Sequence, residues 1–337
     1  MKRCLPALAL AATIGVLLIA CENGSDSEGF SLAPATSTPE TEPTPTPTAT
    51  PTTVTTGPTG TETTTPSATA EETPVASATP SEGTGAVPGL VVDEGLAAEL
   101  SAFLADDPDV AVVVRRLDDA TGAAITPDRS FYTASLFKVF VMYEVYRQRD
   151  TGALRLEEEL TVTQEWADLA LGTSPYATPG QQVTVSAALE AMITLSDNVT
   201  ANMLADRVGW DSIRSSVVSI GLHSTVLGGG ELSTTPADMS RFFQALTCDN
   251  CPGLAPETNA EILDLLARQQ IRDRLPRDLP EGTRVAHKTG SWNDVTHDAG
   301  IVFSPAGSYI IVVMVARGSG HGEIAEISRL VYDYYNP

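Results

Sequence analysis

Three short motifs follow one another along the chain: Ser135-Leu136-Phe137-Lys138, Ser196-Asp197-Asn198 and Lys288-Thr289-Gly290. Beyond Lys2, the 337-residue chain has only two lysines, and each belongs to one of these motifs, whereas arginine is common. A guanidinium keeps its proton in proteins, but an ammonium can give it up. The two lysines therefore mark positions that require proton transfer or a compact charge.

The spacing of the first motif predicts that Ser135 and Lys138 share one face of a helix, where the ammonium can reach the hydroxyl. A hydroxyl is a poor nucleophile until a base removes its proton, and the positive end of the helix would stabilise charge on the oxygen. For Lys138 to act as this base at neutral pH, its pKa must fall by about three units, equivalent to about 4 kcal/mol. Burial near another cation would supply the shift, and Lys288 is the candidate cation.

The first 20 residues predict an export signal. Lys2 and Arg3 precede an apolar stretch that is too short to span a bilayer. Its end, Leu18-Ile19-Ala20-Cys21, resembles the bacterial lipobox, in which the cysteine is lipidated and becomes the first mature residue. We favour this interpretation over an ordinary cleaved signal, and expect an exported lipoprotein anchored to the outer face of the cell membrane through Cys21.

Residues 21–89 differ in composition from the rest of the chain. After Cys21 they are mostly Thr, Pro, Ser, Ala, Gly and Glu, with no Lys or Arg. Such a segment has too little apolar surface to offset the entropy lost on ordering, which predicts a disordered stalk. The stalk would lift a domain into or through a cell-wall layer, although a linker without a spacing role fits the same composition.

Residues 90–337 are long enough for one large domain. Strand patterns occur near both ends and helical patterns in the middle, which predicts an α/β (α+β) fold: an antiparallel sheet flanked by helices, with an inserted all-helical subdomain. The net charge of −23 argues against a nucleic-acid partner. The predicted helices cover 95–105, 135–146, 183–208, 236–246 and 323–335, and the predicted strands 110–117, 123–126, 284–288, 299–303 and 309–316.

Two cysteines remain in the domain, Cys248 and Cys251, within a Cys-Asp-Asn-Cys loop. In an exported protein we favour a local disulfide over half of a metal site, because no second Cys or His pair is available to complete zinc coordination. The four histidines show no metal-ligand spacing. We expect no metal, no cofactor and a monomeric chain.

The three motifs, in this order and spacing, resemble those of the penicillin-recognising serine hydrolases, specifically the class A β-lactamases. The resemblance covers most of residues 90–337 and includes Thr234-Thr235-Pro236 at the start of a later helix. It implies a β-lactam or peptidoglycan-like peptide as substrate. It also implies that Ser135 is the nucleophile and that Ser196 relays a proton between Lys138, Lys288 and the leaving nitrogen.

The resemblance assigns substrate binding to Asn198 and to an edge strand at Thr289, Gly290 and Ser291. Asn198 would bind a substrate amide, and the glycine would allow the backbone to approach closely. Backbone N–H groups of Ser135 and Ser291 would form an oxyanion hole, in which each donor is typically worth about 3 kcal/mol.

Two departures from the family pattern concern turnover. Class A enzymes remove the acyl group with a loop glutamate, but here the interval from Ser196 to Lys288 is shorter and contains no E-x-x-L-N sequence. Glu231, which follows three glycines, is either a substitute base or a solvated loop residue. After K-T-G, where many members place an arginine for the substrate carboxylate, this chain has His297 and Asp298.

Three functions follow from these motifs. The first is a serine hydrolase that acts by acyl transfer on an amide or ester, with slow deacylation. The second is a lipid-anchored sensor or sink that is acylated without turnover. The third is a catalytically dead scaffold that binds cell-wall glycan, which the intact motifs disfavour.

Overall fold

The computed structural model describes residues 87–105, 107–170, 174–228, 231–248 and 253–337. The predicted signal peptide, Cys21, almost all of the stalk and Cys251 lie outside these residues. Val87, which the sequence analysis assigns to the end of the stalk, is buried against the larger core cluster. None of the helices in the described part of the chain is both long and apolar enough to cross a membrane.

The described residues form a mixed α/β fold, which confirms the predicted class. The strands are β1 (Val91–Val92), β2 (Val110–Arg116), β3 (Thr121–Ile125), β4 (Phe131–Tyr132), β5 (Glu159–Thr161), β6 (Gln182–Thr184), β7 (Val226–Gly228), β8 (Glu231–Thr234), β9 (Arg284–Trp292), β10 (Val295–Phe303) and β11 (Tyr309–Val315). The helices are α1 (Glu94–Leu104), α2 (Phe137–Asp150), α3 (Gln164–Ala167), α4 (Val185–Thr194), α5 (Asn198–Val208), α6 (Trp210–Ser219), α7 (Pro236–Ala245), α8 (Pro256–Ala267) and α9 (His321–Tyr335), with a 3₁₀ turn at Ala134–Leu136.

The main sheet has six strands in the order β1-β3-β2-β11-β10-β9. All neighbours in it are antiparallel except β1 and β3. The chain contributes β1 to β3 first and returns after the helical section to add β9 to β11. The strand that carries Lys288-Thr289-Gly290 is thereby placed at one edge of the sheet.

Both faces of the sheet are covered. Alternate residues of a strand point to opposite faces, and those of β2 belong to two different core clusters. Val112 and Val114 pack with α1 and α9, whereas Ala111 and Val113 pack with the helices of the middle section. Burial on both faces explains why β2 and β11 are continuous apolar runs rather than alternating ones.

Helix α2 runs through the larger core and is buried on most of its surface. Residues 138–146 are all buried, so this part of the helix has no solvent-facing side. Phe140 and Tyr143 make edge-to-face contacts with Phe242 of α7. The buried Glu144 accepts hydrogen bonds from Arg147 and Gln148, which compensates the cost of burying its charge. Lys138 lies at the N-terminal end of this rigid helix.

The middle section also contains two small sheets that the sequence analysis did not predict. One pairs β5 with β6, and the other has the order β4-β8-β7. Strand β8 begins at Glu231 and pairs with β4 immediately before Ser135. The short segment before Thr234 is therefore a β-hairpin, β7–β8, placed beside the turn that contains Ser135.

Candidate active site

Ser135 lies in the 3₁₀ turn that leads into α2, so the predicted helix begins with a tighter turn than an α-helix. The turn is held at its start by the Thr133 N–H, which donates to the carbonyl of Leu232 in β8 at 2.9 Å. Ala134 has a φ of 44°, a left-handed value that is uncommon for a residue with a side chain. Ser135 itself is half-buried.

The turn at Ser196-Asp197-Asn198 connects α4 to α5. Asp197 caps α5 and accepts from the backbone N–H of Thr200 at 2.7 Å and from its hydroxyl at 2.8 Å. This cap fixes where α5 begins. Ser196, just before the cap, has a φ of 60°. Strained backbone of this kind persists only where the surroundings hold it, and it is frequent at active sites.

Both buried lysines meet at Ser196. Lys138 Nζ donates to the Ser196 carbonyl at 2.5 Å, to Asn198 Oδ1 at 2.7 Å and to Ser196 Oγ at 3.3 Å. Lys288 Nζ lies 2.9 Å from Ser196 Oγ and donates to the Thr289 carbonyl at 2.8 Å. The hydroxyl of Ser196 therefore bridges the two amines, which is the geometry required of a proton relay.

Burial lowers the pKa of Lys138 to about 7, and Asp197 opposes this shift. The structure agrees with the predicted direction and with burial as its cause, but Lys288 does not add to the shift. Burial also lowers the pKa of Lys288 well below its usual range, and the Lys138 ammonium lowers it further. The Asp298 carboxylate partly offsets this lowering of the Lys288 pKa. Near neutral pH, Lys138 is thus poised to exchange a proton.

Strand β9 packs directly against the turn that contains Ser135. A Cβ atom at Gly290 would lie 3.0 Å from the carbonyl oxygen of Thr133 and 3.4 Å from the Leu136 nitrogen. A side chain at Gly290 would therefore push β9 away from the turn. This close approach explains the glycine of the third motif and places Ser291 beside the Ser135 turn.

Arg274, which the sequence analysis missed, binds the same strand. Its guanidinium is buried and donates to the carbonyls of Gly290 at 3.0 Å and His297 at 2.8 Å, and to Ser291 Oγ at 2.6 Å. A buried cationic side chain therefore contacts β9 from the segment before that strand, although no arginine follows K-T-G at the positions of His297 and Asp298. No local pattern in residues 268–283, which contain several arginines, distinguishes Arg274.

His297 and Asp298 have different surroundings on β10. The Nε2–H of His297 donates to the Tyr132 carbonyl at 2.9 Å, while its Nδ1 accepts from the Val315 N–H at 3.2 Å. Burial lowers the pKa of His297 to about 4, so the ring is neutral. Asp298 lies 2.9 Å from His287 Nδ1, and this pair is fully buried. His297 therefore ties β4, just before Ser135, to the main sheet.

The structure gathers Lys138, Ser196, Asn198 and Lys288 into one hydrogen-bonded cluster. The adjoining Gly290 packs against Thr133 and Leu136 on either side of Ser135. Glu231 is exposed at the start of β8, where its carboxylate accepts from Ser233 Oγ at 2.9 Å. Cys248 is disulfide-bonded. Within the described ranges, no group of three or more His, Cys, Asp or Glu side chains is arranged to hold a metal ion.

Residues 95–335 match the model of a family described as the beta-lactamase enzyme family. An extended-spectrum beta-lactamase, PER-1, from Pseudomonas aeruginosa is 24% identical over 257 residues, covering 67% of this chain and 82% of the relative. A beta-lactamase from Streptomyces albus G is 27% identical over 230 residues, covering 62% of this chain and 72% of the relative.

Among solved structures, PBP-A is similar, with a TM-score of 0.67 and 28% identity over 74% of this chain and 98% of PBP-A. A mutant of PBP-A, described as an acyl-enzyme complex with penicillin G, has the same TM-score and identity and covers 74% of this chain and 99% of that one.

The pKa of Lys138 can be measured directly, because residues 90–337 contain only two lysines. With ¹³C-labelled lysine, we expect one Cε resonance to titrate near pH 7, whereas lysine in the urea-unfolded protein titrates near its usual value of about 10.4. The variant Lys288→Arg removes the other resonance and assigns the signal. Titration of both lysines above pH 10 in the folded protein would contradict the burial argument.

Proposed function

The chain belongs to the beta-lactamase enzyme family of penicillin-recognising serine hydrolases, and from this premise we propose that it acts by forming an acyl-enzyme at Ser135. The substrate is an amide or ester, either a β-lactam or a peptidoglycan-like peptide. The observation that carries the proposal is the contact of both buried amines with Ser196 Oγ, at 3.3 Å from Lys138 and 2.9 Å from Lys288.

In this proposal acylation has three steps: attack by Ser135, delivery of a proton to the leaving nitrogen, and cleavage of the carbon–nitrogen bond. Neutral Lys138 takes the proton of the Ser135 hydroxyl as its oxygen attacks the substrate carbonyl carbon. The backbone N–H groups of Ser135 and Ser291 stabilise the negative oxygen of the tetrahedral intermediate. The proton then passes from Lys138 through Ser196 to the leaving nitrogen. The carbon–nitrogen bond breaks, and the acyl group remains on Ser135.

Arg274 supplies positive charge near the substrate. We assign to Arg274 the task of attracting a substrate carboxylate, because its guanidinium is fixed against Gly290 and Ser291 by hydrogen bonds. Arginine forms a rigid, planar set of donors that suits a carboxylate. In this assignment the neutral His297 positions the backbone and does not bind the substrate.

Deacylation is slow in this proposal. A base must hold its water in a defined geometry, and a misplacement of about 1 Å can reduce a rate about a hundredfold. The β7–β8 hairpin contacts the nucleophile turn through a backbone hydrogen bond, whereas the carboxylate of Glu231 is exposed and bound to Ser233. If deacylation does not occur at all, the protein has the alternative function: a sensor or sink that is acylated without turnover.

We also propose that lipidated Cys21 anchors the protein to the outer face of the cell membrane, with residues 22–89 as a stalk. A single chain supplies every residue of the lysine cluster, which supports a monomer as the active unit. The proposal of membrane anchoring rests on the sequence of residues 1–21 alone.

Replacing Lys138 by arginine should reduce acylation more than tenfold, which is a loss of over about 1.4 kcal/mol, because arginine cannot accept the serine proton. Lys288→Arg should lose less, since Lys288 is not the group that takes the serine proton. In the wild type, acylation should fall as the pH drops below about 7, where Lys138 becomes protonated. Stopped-flow labelling with a fluorescent penicillin measures these rates, with Ser135→Ala as the unlabelled control. A Lys138→Arg protein that keeps over a tenth of the rate would disprove the role as base.

The Ser135 adduct should outlive acylation by a wide margin, because the hairpin leaves the hydrolytic water without a well-placed base. Intact-mass spectrometry after a pulse of penicillin G follows its decay. Glu231→Gln should leave the slow decay unchanged, as should Glu281→Gln, a control at another exposed glutamate. Rapid decay in the wild type that is lost only in Glu231→Gln would instead make Glu231 the deacylating base.

Replacing Cys21 by alanine should release the protein from the membrane fraction, because the lipid-bearing residue is lost. Fractionation and mass spectrometry of the wild type should show a diacylglyceryl group on Cys21. Membrane association that persists in Cys21→Ala would indicate a different anchor.

A further inference from the structure

The small sheet β4-β8-β7 connects the turn that contains Ser135 to the first turn of α7. Strand β4 runs directly into the Ser135 turn, and β8 pairs with β4. The Leu232 carbonyl of β8 also accepts the Thr133 N–H at 2.9 Å. The next residue, Ala134, has a left-handed φ of 44°, and such a conformation persists only where its surroundings hold it. The position of β8 therefore helps to hold the strained backbone before Ser135.

Asp238, in the first turn of α7, binds the chain just before β7. Its Oδ2 accepts from the Ser224 N–H and from the Thr225 hydroxyl, each at 2.8 Å. The Oγ1 atoms of Thr225 and Thr234 are also 2.8 Å apart. Because the Thr225 hydroxyl has one proton and donates it to Asp238, Thr234 must be the donor to Thr225. A directed chain of hydrogen bonds thus runs from β8 to α7.

This chain of hydrogen bonds is buried and has a fixed base. Asp238 is 6% exposed and Thr234 is fully buried, so an unpaired polar group at either position would be costly. Thr235 caps α7 by accepting from the Asp238 N–H at 3.1 Å. The N–H of Ala237 donates to the Pro127 carbonyl, in the segment before β4, at 3.0 Å. The first turn of α7 therefore anchors the segments that lead into both β4 and β7.

We propose that Asp238, Thr225 and Thr234 form a clamp that positions the nucleophile for acylation. The inference rests on the proposed acylation of Ser135. The three side chains are positioning residues: they act through β8 and its backbone hydrogen bond to the turn, and they take no part in proton transfer. The clamp holds the open end of the β7–β8 hairpin, whereas Glu231 lies toward the other end of β8.

The hairpin has a second attachment that does not depend on the clamp. Leu227 of β7 is buried in the larger core, and its carbonyl accepts from Arg214 of α6 at 2.9 Å. Loss of the clamp should therefore loosen β8 without unfolding the hairpin. Variants of the clamp are thus expected to fold, which makes their rates interpretable.

Stopped-flow acylation over a range of fluorescent penicillin concentrations tests the clamp. Asp238→Ala should lower the maximal rate about tenfold and leave the half-saturating concentration within about twofold, because a displacement of well under 1 Å is enough for such a loss. Asp238→Asn keeps an oxygen acceptor in the same place and should retain most of the rate. Thr225→Val should also be slower, and the double variant with Asp238→Ala should be no slower than Asp238→Ala alone, since both changes break one chain.

Asp93→Ala is a matched control for lost stability. Asp93 caps α1, on the opposite face of the main sheet, and its Oδ1 accepts from the N–H groups of Gly95 and Leu96 and from the Tyr334 hydroxyl. This variant should lower the midpoint of thermal unfolding, as Asp238→Ala does, but keep the wild-type acylation rate constant. An equal fall of the rate constant in both variants would overturn the clamp, because general destabilisation would then explain it.

Amide hydrogen exchange, followed by NMR, tests the clamp without any substrate. Exchange of the Thr133 N–H reports how firmly β8 holds the turn. Asp238→Ala should speed this exchange about tenfold, and Asp93→Ala should leave it unchanged. Unchanged exchange in Asp238→Ala would overturn the clamp even if the wild type is acylated. A wild type that no penicillin acylates would instead overturn the proposed function and the catalytic role of the clamp, whatever the exchange rates.

Discussion

The burial of two lysine amines in one cluster is the constraint on which the rest of the site depends. A buried ammonium is costly unless acceptors surround it. The carbonyls of Ser196 and Thr289, with Asn198 Oδ1, provide such acceptors. The Ser196 carbonyl points at Lys138, and the backbone of Ser196 is left-handed. The neighbouring Asp197 caps α5 and holds this backbone in place. The same burial lowers the pKa of Lys138 toward neutrality, so the strain and the chemistry have a common origin.

The need to balance charge also explains which charged and neutral side chains surround β9. Lys138, Lys288 and Arg274 are three buried basic groups, and burial lowers the pKa of each. The buried carboxylate of Asp298 partly offsets this lowering at Lys288 and Arg274. An arginine at position 297 would add a fourth buried cation to the same strand pair. His297 instead stays neutral and uses both ring nitrogens to join Tyr132 to Val315. In the proposed function, Arg274 supplies the positive charge of the site.

Sequence patterns predicted features that depend on local chemistry. Thr235 caps α7 as its type and position indicate, and the apolar runs of β2 and β11 lie at the centre of the sheet. The motif residues Lys138, Ser196 and Lys288 were identifiable because lysine is otherwise almost absent. Arg274 was not, because its role depends on where the segment before β9 crosses the sheet. Likewise, the pairing of β8 with β4 is a long-range contact between strands too short to show a periodic pattern.

In the proposed function, acylation and deacylation depend on different elements of the fold. The groups assigned to acylation lie on α2, the α4–α5 turn and β9, and each is fixed by packing or by the amines themselves. Deacylation would depend on the β7–β8 hairpin. A backbone hydrogen bond from Thr133 to Leu232 joins this hairpin to the start of the turn that contains Ser135. A backbone bond tolerates many side chains at positions 231 and 232. In the proposed function, such changes in the hairpin would therefore alter the lifetime of the acyl group without disturbing its formation, and the same scaffold would suit either a hydrolase or a protein that retains its acyl group.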